Sequence, residues 1–403
     1  MRTRKGRPSR VLIILENLPL ERDARVRREC RALLDAGIAV SVICPKGSGA
    51  GLQGSLEQVR RYEYRATSSP STRLGFAHEF LHAWLATARL ALRALNDDGF
   101  DVIQACNPPD TYFALALPFK LLGKPFIFDH HDLAPELYAI RFGHDGGITM
   151  AVLRTLERAT FWSADHVIAT NESIRQVAIR RGRKRPSDVT VARNGPELDQ
   201  LRARAPRPEL KRGRPFLCCW VGVLGAVDDG VDLALRAIHA VVIGWGRQDC
   251  HFAIIGDGEA LTQMQALAAE LGIGDFVTFT GWLGQDAVFD HLATADLALQ
   301  PDPKNRRTDA ATAIKTMEYM AFGLPIVAFD VHETRVSAAD AAAYARPNDV
   351  LSYAEHISVL LDNPQSRIAM GRVGRQRVQQ ELAWDHQKEA YLGVFRRYLG
   401  TDG

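Results

Sequence analysis

Short apolar runs alternate with helix-period segments along almost the whole chain, and this pattern constrains the fold more than any other feature. "RVLIILE" at 10–16 is followed by "DARVRRECRALLDA" at 23–36, whose apolar positions repeat at helical spacing. Gly37 ends that pattern, and "IAVSVICP" is the next apolar run. "FDVIQACN" (100–107), "KPFIFDHH" (124–131), "DHVIAT" (165–170) and "DVTVARNG" (188–195) continue the series, with helical segments between them. Strands buried on both faces and joined by helices make a parallel sheet wrapped in helices.

The Pro/Arg-rich stretch 201–215, "LRARAPRPELKRGRP", breaks the rhythm and reads as a linker. The alternation then restarts. Strand-like runs fall at 215–222, 251–258, 276–282, 295–301 and 325–330, and helices at 230–242 and 259–272. Three more helices are expected near 350–361, 364–381 and 384–399. A chain of 403 residues exceeds what one core usually serves. The expected architecture is therefore two Rossmann-like, doubly wound α/β domains, 1–205 and 206–383. Such sheets bind ligands beyond the carboxyl ends of their strands, and two facing domains would form a cleft.

The net charge of +3 points away from a nucleic-acid partner, although basic residues cluster at 1–10, 179–186 and 201–215. Such clusters read as solvated faces, with an anionic membrane surface or anionic substrate as the alternative. The six cysteines form no CxxC pair, as expected of a reducing cytoplasm. The basic N-terminus leads into a strand rather than a signal-peptide core, and no apolar run is long enough for a membrane span.

Glu318, in "KTMEYMAFGLP" (315–325), lies beside the apolar stripe of Ile314, Met317 and Ala321. Gly323 and Pro325 end that helix. Asp309 or Thr312 is expected to cap its start, where Lys315 would strengthen the attraction for phosphate. Glu318 then either binds ligand hydroxyls or pairs with Lys315 on an exposed face. Gly222 and Gly225 suit backbone approach to an anion, but a strand-ending glycine is common. Gly256, in Gly256-Asp257-Gly258, reads equally as a tight turn. His130 and His131 are adjacent on a strand and point to opposite faces, which disfavours a metal site. Asp132 could cap the helix that follows. Arg25 reads as a surface arginine or a cleft residue, and Glu16 and Asn17 are weaker candidates at the end of the first strand. In 76–95, Phe76, Phe80, Trp84, Leu85, Ala88 and Leu92 share one face, expected to pack on the sheet or to meet an interface.

The segment from Ile314, "IKTMEYMAFGLPIVAFDVHETRVSAADAAAYARPND", resembles the nucleotide-binding segment of family 4 glycosyltransferases. It is most similar to a bacterial exopolysaccharide or capsule subgroup with the pattern "NK-x-x-EYMA-x-G-x-P". "RDARVRRECRALLDAGIAVSVICP", "VARNGPELD" and "AIIGDGEALTQMQALAAELGIGDFVTFTGWL" resemble further family segments, in the family's order. "WDHQKEAYLGVFRRYL" resembles the terminal helix that crosses back, which would assign 384–403 to the first domain. The resemblance implies the GT-B fold and a retaining transfer from a nucleoside-diphosphate sugar to a glycan or lipid-linked acceptor, with no cofactor or metal.

The resemblance also implies roles for individual residues. Glu318 would bind ribose and Lys315 would lie near the diphosphate. Gly281 and Trp282 would meet the base, and the Gly222–Gly225 turn the phosphates. One of the histidines, with Asp132, would face the sugar or acceptor, and Arg25 the acceptor side. No D-x-D triplet of the metal-dependent alternative fold occurs. Three departures from the family occur: Ala310 replaces a second glutamate, Ile314 the usual Asn, and Asp228 and Asp229 stand where relatives often carry Arg and Lys. Ala310 and Ile314 motivate the alternative of a non-catalytic, nucleotide-sugar-binding relative acting as partner subunit or regulator. The expected location is cytoplasmic, with peripheral contact at the inner membrane face as a variant.

Overall fold

The computed structural model describes residues 7–16, 18–47, 54–66, 73–143, 146–201, 204–225 and 229–400, with backbone only for 73–80. Asn17, Asp228, most of the N-terminal basic cluster and the side chains of Phe76 and Phe80 lie outside the described residues. The chain divides into two compact units, Met1–Arg193 with Gln387–Gly403, and Asn194–His386.

The first unit holds β1 (Arg10–Ile14), β2 (Ala39–Pro45), β3 (Arg60–Tyr64), β4 (Val102–Cys106), β5 (Phe126–His130), β6 (His166–Ala169) and β7 (Val189–Val191). Its helices are α1 (Ala24–Asp35), α2 (Arg73–Asp97), α3 (Phe113–Leu121), α4 (Ala134–Phe142), α5 (Gly147–Ser163) and α6 (Glu172–Arg180). The seven strands form one sheet in the order β3-β2-β1-β4-β5-β6-β7, with every pairing parallel. Helices on both faces explain why β4 and β5 are buried at every position. α1 starts where expected because the Asp23 carboxylate accepts from the Val26 N–H at 2.8 Å. β3, "RRYEY", carried little strand signal: it lies at the sheet edge, with arginines outward and Tyr62 and Tyr64 inward.

The second unit holds β8 (Phe216–Val221), β9 (Cys250–Ile255), β10 (Val277–Phe279), β11 (Leu297–Gln300), β12 (Ile326–Phe329) and β13 (Ala342–Ala345). Its helices are α7 (Val231–His239), α8 (Leu261–Glu270), α9 (Gln285–Thr294), α10 (Ile314–Ala321), α11 (His332–Ala338), α12 (Val350–Asp362) and α13 (Pro364–Arg377), after which α14 (Trp384–Leu399) leads back to the first unit. The six parallel strands run β10-β9-β8-β11-β12-β13. In both sheets the strand order reverses beside the first strand of the unit, between β1 and β4 and between β8 and β11, the usual ligand position in such sheets.

The observed boundary falls at Arg193, before the Pro/Arg-rich stretch rather than at 205. The segment after Arg193 packs on the second unit. Pro196 O accepts from Trp384 N at 2.9 Å, a Cβ at Gly195 would collide with Leu382 O, and Arg204 pairs with Asp286 and Asp290. Of the two expectations for α2, packing of the Leu85 and Leu92 face on the sheet does not hold. The buried positions are the small residues Ala83, Thr87, Ala91 and Ala94, while Leu81, Leu85 and Leu92 face outward. Small side chains let the helix lie close to its neighbours, so the sheet-facing stripe is the less apolar one.

A buried charge network ties α1, β4, β5 and α14 together. Arg25 is buried, with Nη2 at 2.8 Å from Asp129 and Nε at 2.9 Å from Glu29. Gln104 Nε2 donates to Glu29 (2.7 Å) and Asp129 (3.0 Å), and the Tyr391 hydroxyl on α14 donates to Gln104 Oε1 at 2.8 Å. Burial alone would push the Asp129 carboxyl up, but Arg25 and His131 outweigh it and hold it well below the usual carboxylate range. Glu29 is pushed the other way, by burial first and then by Asp129. One arginine thus serves two acids, of which Asp129 carries the charge. Asp129→Ala would leave Arg25 buried without its main counter-charge and should destabilise the first unit by about 3–5 kcal/mol. Urea unfolding followed by far-UV circular dichroism should show an earlier transition for the variant.

Candidate functional site

The second unit's site is built from backbone before side chains. At the carboxyl end of β8 the chain turns at Gly222, whose N–H donates to Ile255 O at 3.0 Å. Gly256, after β9, has φ of +145°, and a Cβ there would collide with the Gly222 carbonyl. Gly256 also bridges Gly281, after β10. Gly222, Gly256 and Gly281 therefore form one strip of bare backbone across three strand ends. Gly225 lies in the first of these loops, with its N–H to Val223 O at 3.0 Å. Trp282 follows Gly281 and is 68% exposed.

Gly230 closes the same loop against β11, because a Cβ there would collide with Pro301 O. Its neighbour Asp229 accepts from the Val231 N–H at 3.0 Å at the start of α7. Burial raises the Asp229 carboxyl to about 6, against the opposing pull of the Val231 N–H and Lys315.

α10 ends as its sequence predicts. Gly323 has φ of +71°, its N–H reaches Met320 O at 2.9 Å, and Leu324 N reaches Tyr319 O at 3.0 Å, a Schellman arrangement. The start of α10 differs from expectation. Its N-cap is Ala313, with no side-chain cap. Asp309 instead accepts from His332 N (2.8 Å), and Thr312 donates to Glu333 (3.2 Å), both at the start of α11. Asp309 and Thr312 are thus drawn towards α11, while Asn305 and Thr308 bond within their own loop.

Lys315, in the first turn of α10, does not pair with Glu318. Its Nζ donates to Asp302 Oδ1 at 2.6 Å and lies 5.2 Å from the Trp220 ring centroid. An ammonium has three N–H donors, so two remain after Asp302 takes one. Trp220 is fully buried, and its indole N–H has no partner among the described residues. Glu318 lies one turn further along, half-buried. Lys315 and the glycine strip lie around the same strand ends, beside the β8/β11 switch point.

In the first unit the candidate residues separate. His130 is buried among aromatic rings, 5.2 Å from Phe128 and 5.1 Å from Phe161 by centroids. Among the described residues neither ring nitrogen has a partner, and burial lowers its pKa to about 3, so it is a neutral core residue rather than a ligand contact. Arg25 likewise does not face outward: it is consumed by the buried network, as the counter-charge of Asp129 and a hydrogen-bond partner of Glu29. His131 is the partly exposed member of the pair, with Nε2 at 2.7 Å from Asp129 and 2.8 Å from Arg25 Nε. Asp132 does not cap α4, whose N-cap is Leu133; its carboxylate accepts from the Leu133 N–H at 2.8 Å. Glu16 lies just past β1, and its carbonyl accepts from the Tyr64 hydroxyl at 3.0 Å.

Three positioning residues were missed in the sequence. Asn107 Oδ1 accepts from the N–H groups of His131 (2.6 Å) and Asp132 (3.1 Å), and its Nδ2 donates to Asp132 O (2.7 Å). Asp129 and Gln104 hold His131 and its surroundings from below. The only available signal was a polar residue inside an apolar strand. Cys106, Asp129 and His131 bring donor atoms within 4.8 Å of one another. A cation would compete there with Arg25, and burial pushes the Cys106 thiol up, away from the thiolate a metal needs.

Comparison with known proteins follows the same division. The Glycosyltransferase Family 4 model matches residues 24–200, and the model described as Glycosyl transferases group 1 matches residues 215–363. A 2-deoxystreptamine glucosyltransferase from Streptomyces kanamyceticus is 28% identical over 210 residues, 51% of each chain. A GDP-mannose-dependent alpha-(1-6)-phosphatidylinositol monomannoside mannosyltransferase from Mycobacterium tuberculosis is 30% identical over 207 residues, 47% of this chain and 51% of the relative. The chain thus spans about half the length of these curated relatives. Among solved structures, a sucrose-phosphate synthase from Thermosynechococcus elongatus superposes with a TM-score of 0.78 at 17% identity, covering 98% of this chain and 100% of that one. HepE from Anabaena, solved with UDP-glucose, gives 0.72 at 15%, covering 96% and 99%. The named relatives are transferases rather than regulatory subunits. The two units thus match a family 4 and a group 1 glycosyltransferase model in chain order, and the chain shares the GT-B fold over nearly its whole length.

Proposed function

We propose that the protein is a retaining glycosyltransferase that moves a sugar from a nucleoside-diphosphate donor to a hydroxyl of a glycan or lipid-linked acceptor, as in exopolysaccharide assembly. The carrying observation is Lys315 in the uncapped first turn of α10, beside the glycine strip at the β8/β11 switch point. Free N–H groups at a helix start, bare backbone and an ammonium with two spare donors suit a diphosphate. HepE was solved with UDP-glucose, and the mycobacterial relative is named as GDP-mannose-dependent, which supports a nucleotide-sugar donor without choosing its base.

In this reading Glu318 accepts hydrogen bonds from the ribose hydroxyls, and Trp282 with the Gly281 backbone meets the base. Lys315, the α10 N–H groups and the Gly222–Gly225 turn stabilise charge growing on the leaving diphosphate. The anomeric C–O bond to phosphate breaks, and a new one forms to the acceptor oxygen on the same face. The acceptor proton passes to the departing diphosphate oxygen, so no protein base is required. His131, oriented by Asp129, and Asp132 are assigned to the sugar or acceptor.

Thermal unfolding with UDP, GDP, ADP, dTDP and CDP, each at millimolar concentration, tests donor binding. The matching nucleotide at about 100 times its dissociation constant should add about 2.7 kcal/mol to stability. If none of the five shifts the transition, the donor assignment fails. Lys315→Ala should weaken the matching nucleotide by about 1.5–3 kcal/mol, the range for a hydrogen bond to a charged group. Glu318→Ala should weaken it too, and unchanged affinity measured by calorimetry would remove the ribose role.

The Asp229 carboxyl, raised to about 6, gives a pH dependence of definite sign. Below that pH it is neutral; above it, it is an anion close to the proposed diphosphate. Nucleotide-sugar affinity should fall as pH rises through about 6, and Asp229→Asn should flatten the profile. The sugar-linked diphosphate has no proton to lose in that window, so the ligand itself does not confound the titration.

A further inference from the structure

The basic run at 179–186 has no part in the transfer chemistry, yet it lines a cavity of about 580 Å³. The cavity lies in the first unit, between the end of α5 and the loop that leads from α6 into β7. This is the amino-terminal edge of the sheet, opposite the strand ends that carry His131 and Asp132. Its walls include Arg158, Trp162, Arg181, Arg183, Lys184 and Arg185.

The loop is held in place. A Cβ at Gly182 would collide with the Phe161 ring, so only glycine lets the loop lie on the end of α5. Lys184 N donates to Ala178 O at 3.1 Å, and Lys184 Nζ donates to Ala164 O at 2.6 Å. Arg183 has φ of +54°, a left-handed conformation that costs a non-glycine residue energy.

The cations divide into paired and unpaired. Arg181 is taken by Glu136 and Glu157, and Arg185 by Asp188. Asp188, which also lines the cavity, is shared with Arg397. Among the described residues no carboxylate pairs with Arg158 or Arg183, and both side chains are exposed. Lys184 is half-buried with two N–H donors to spare, and burial lowers its pKa. Arg158 and Trp162 are four residues apart on α5 and so share a face. Trp162 is 76% exposed, presenting a large flat surface beside these cations.

The two guanidiniums without a carboxylate partner among the described residues, Arg158 and Arg183, suit an anion, since their planar N–H forks match phosphate oxygens. The volume exceeds that of a bare phosphate and lies within the range of small-molecule pockets. We propose that this cavity binds a phosphate ester, with its phosphate on Arg158 and Arg183 and its organic part against the face of Trp162. The site is independent of the donor site assigned above, and a soluble ester or a phospholipid headgroup would present the same chemistry.

The test uses the full chain carrying Lys315→Ala, which silences the proposed diphosphate contact. Glycerol 3-phosphate and inorganic pyrophosphate are titrated at constant ionic strength, with calorimetry and tryptophan emission as readouts. Saturable one-to-one binding is expected, with an emission change that disappears in Trp162→Phe. Arg158→Ala and Arg183→Ala should each weaken binding about tenfold, the effect of one charge-assisted hydrogen bond. Co-sedimentation with phosphatidylglycerol vesicles, against phosphatidylcholine vesicles, separates the sources. Vesicle binding lost in the double arginine variant assigns a lipid headgroup, and ester binding without vesicle binding assigns a soluble ligand. No saturable binding of glycerol 3-phosphate or pyrophosphate together with no vesicle binding, or binding indifferent to both arginine substitutions, would overturn the proposal.

Discussion

Both units depend on one constraint: every described strand pairing is parallel. Parallel neighbours cannot be joined by a tight turn, so each connection crosses over a face of the sheet and buries it. All strands then end on the same edge, and their following loops gather there. Where the strand order reverses, adjacent loops diverge and leave room for a ligand. In the second unit that edge carries Gly222, Gly256, Gly281 and Lys315; in the first it carries Asn107, His131 and Asp132.

The two edges are built by different physics. In the second unit the strip exists because carbonyl and Cα atoms approach more closely than any Cβ would allow. The product is a rigid backbone strip, with the Gly222 and Gly225 N–H groups bonded to Ile255 O and Val223 O. In the first unit the edge rests on buried charge. Asp129 is ionised inside the sheet because Arg25 and His131 outweigh its burial, and Glu29 is pushed up by burial first and then by the Asp129 charge. Tyr391 joins this network through Gln104, so the returning helix α14 supports the same side chains that orient His131. Removing either charge partner would leave the other stranded in low dielectric, far costlier than losing a surface pair.

Strand and helix positions were largely legible because hydrophobic period is local. Asp23 before α1 and Gly323 after α10 act within one turn of their helices, and Gly323 ends α10 as its sequence context predicts. Edge strand β3 was hidden because one edge is solvated and tolerates "RRYEY". The domain boundary was misplaced because composition marks a linker, whereas packing of Gly195, Pro196 and Arg204 decides which unit owns the segment.

The candidate site was legible as residue types and much less so as contacts. Sequence alone determined two doubly wound units, the glycine-terminated strands and the helix bearing Lys315 and Glu318, because these depend on neighbours a few positions apart. Tertiary structure decided the pairings. It gave Lys315 to Asp302 instead of Glu318, sent Asp309 and Thr312 to α11, buried His130 among phenylalanines and enclosed Arg25 with two acids. Each of those outcomes turns on which distant group reaches a side chain first and on how much water remains around it. Spacing along the chain carries neither quantity.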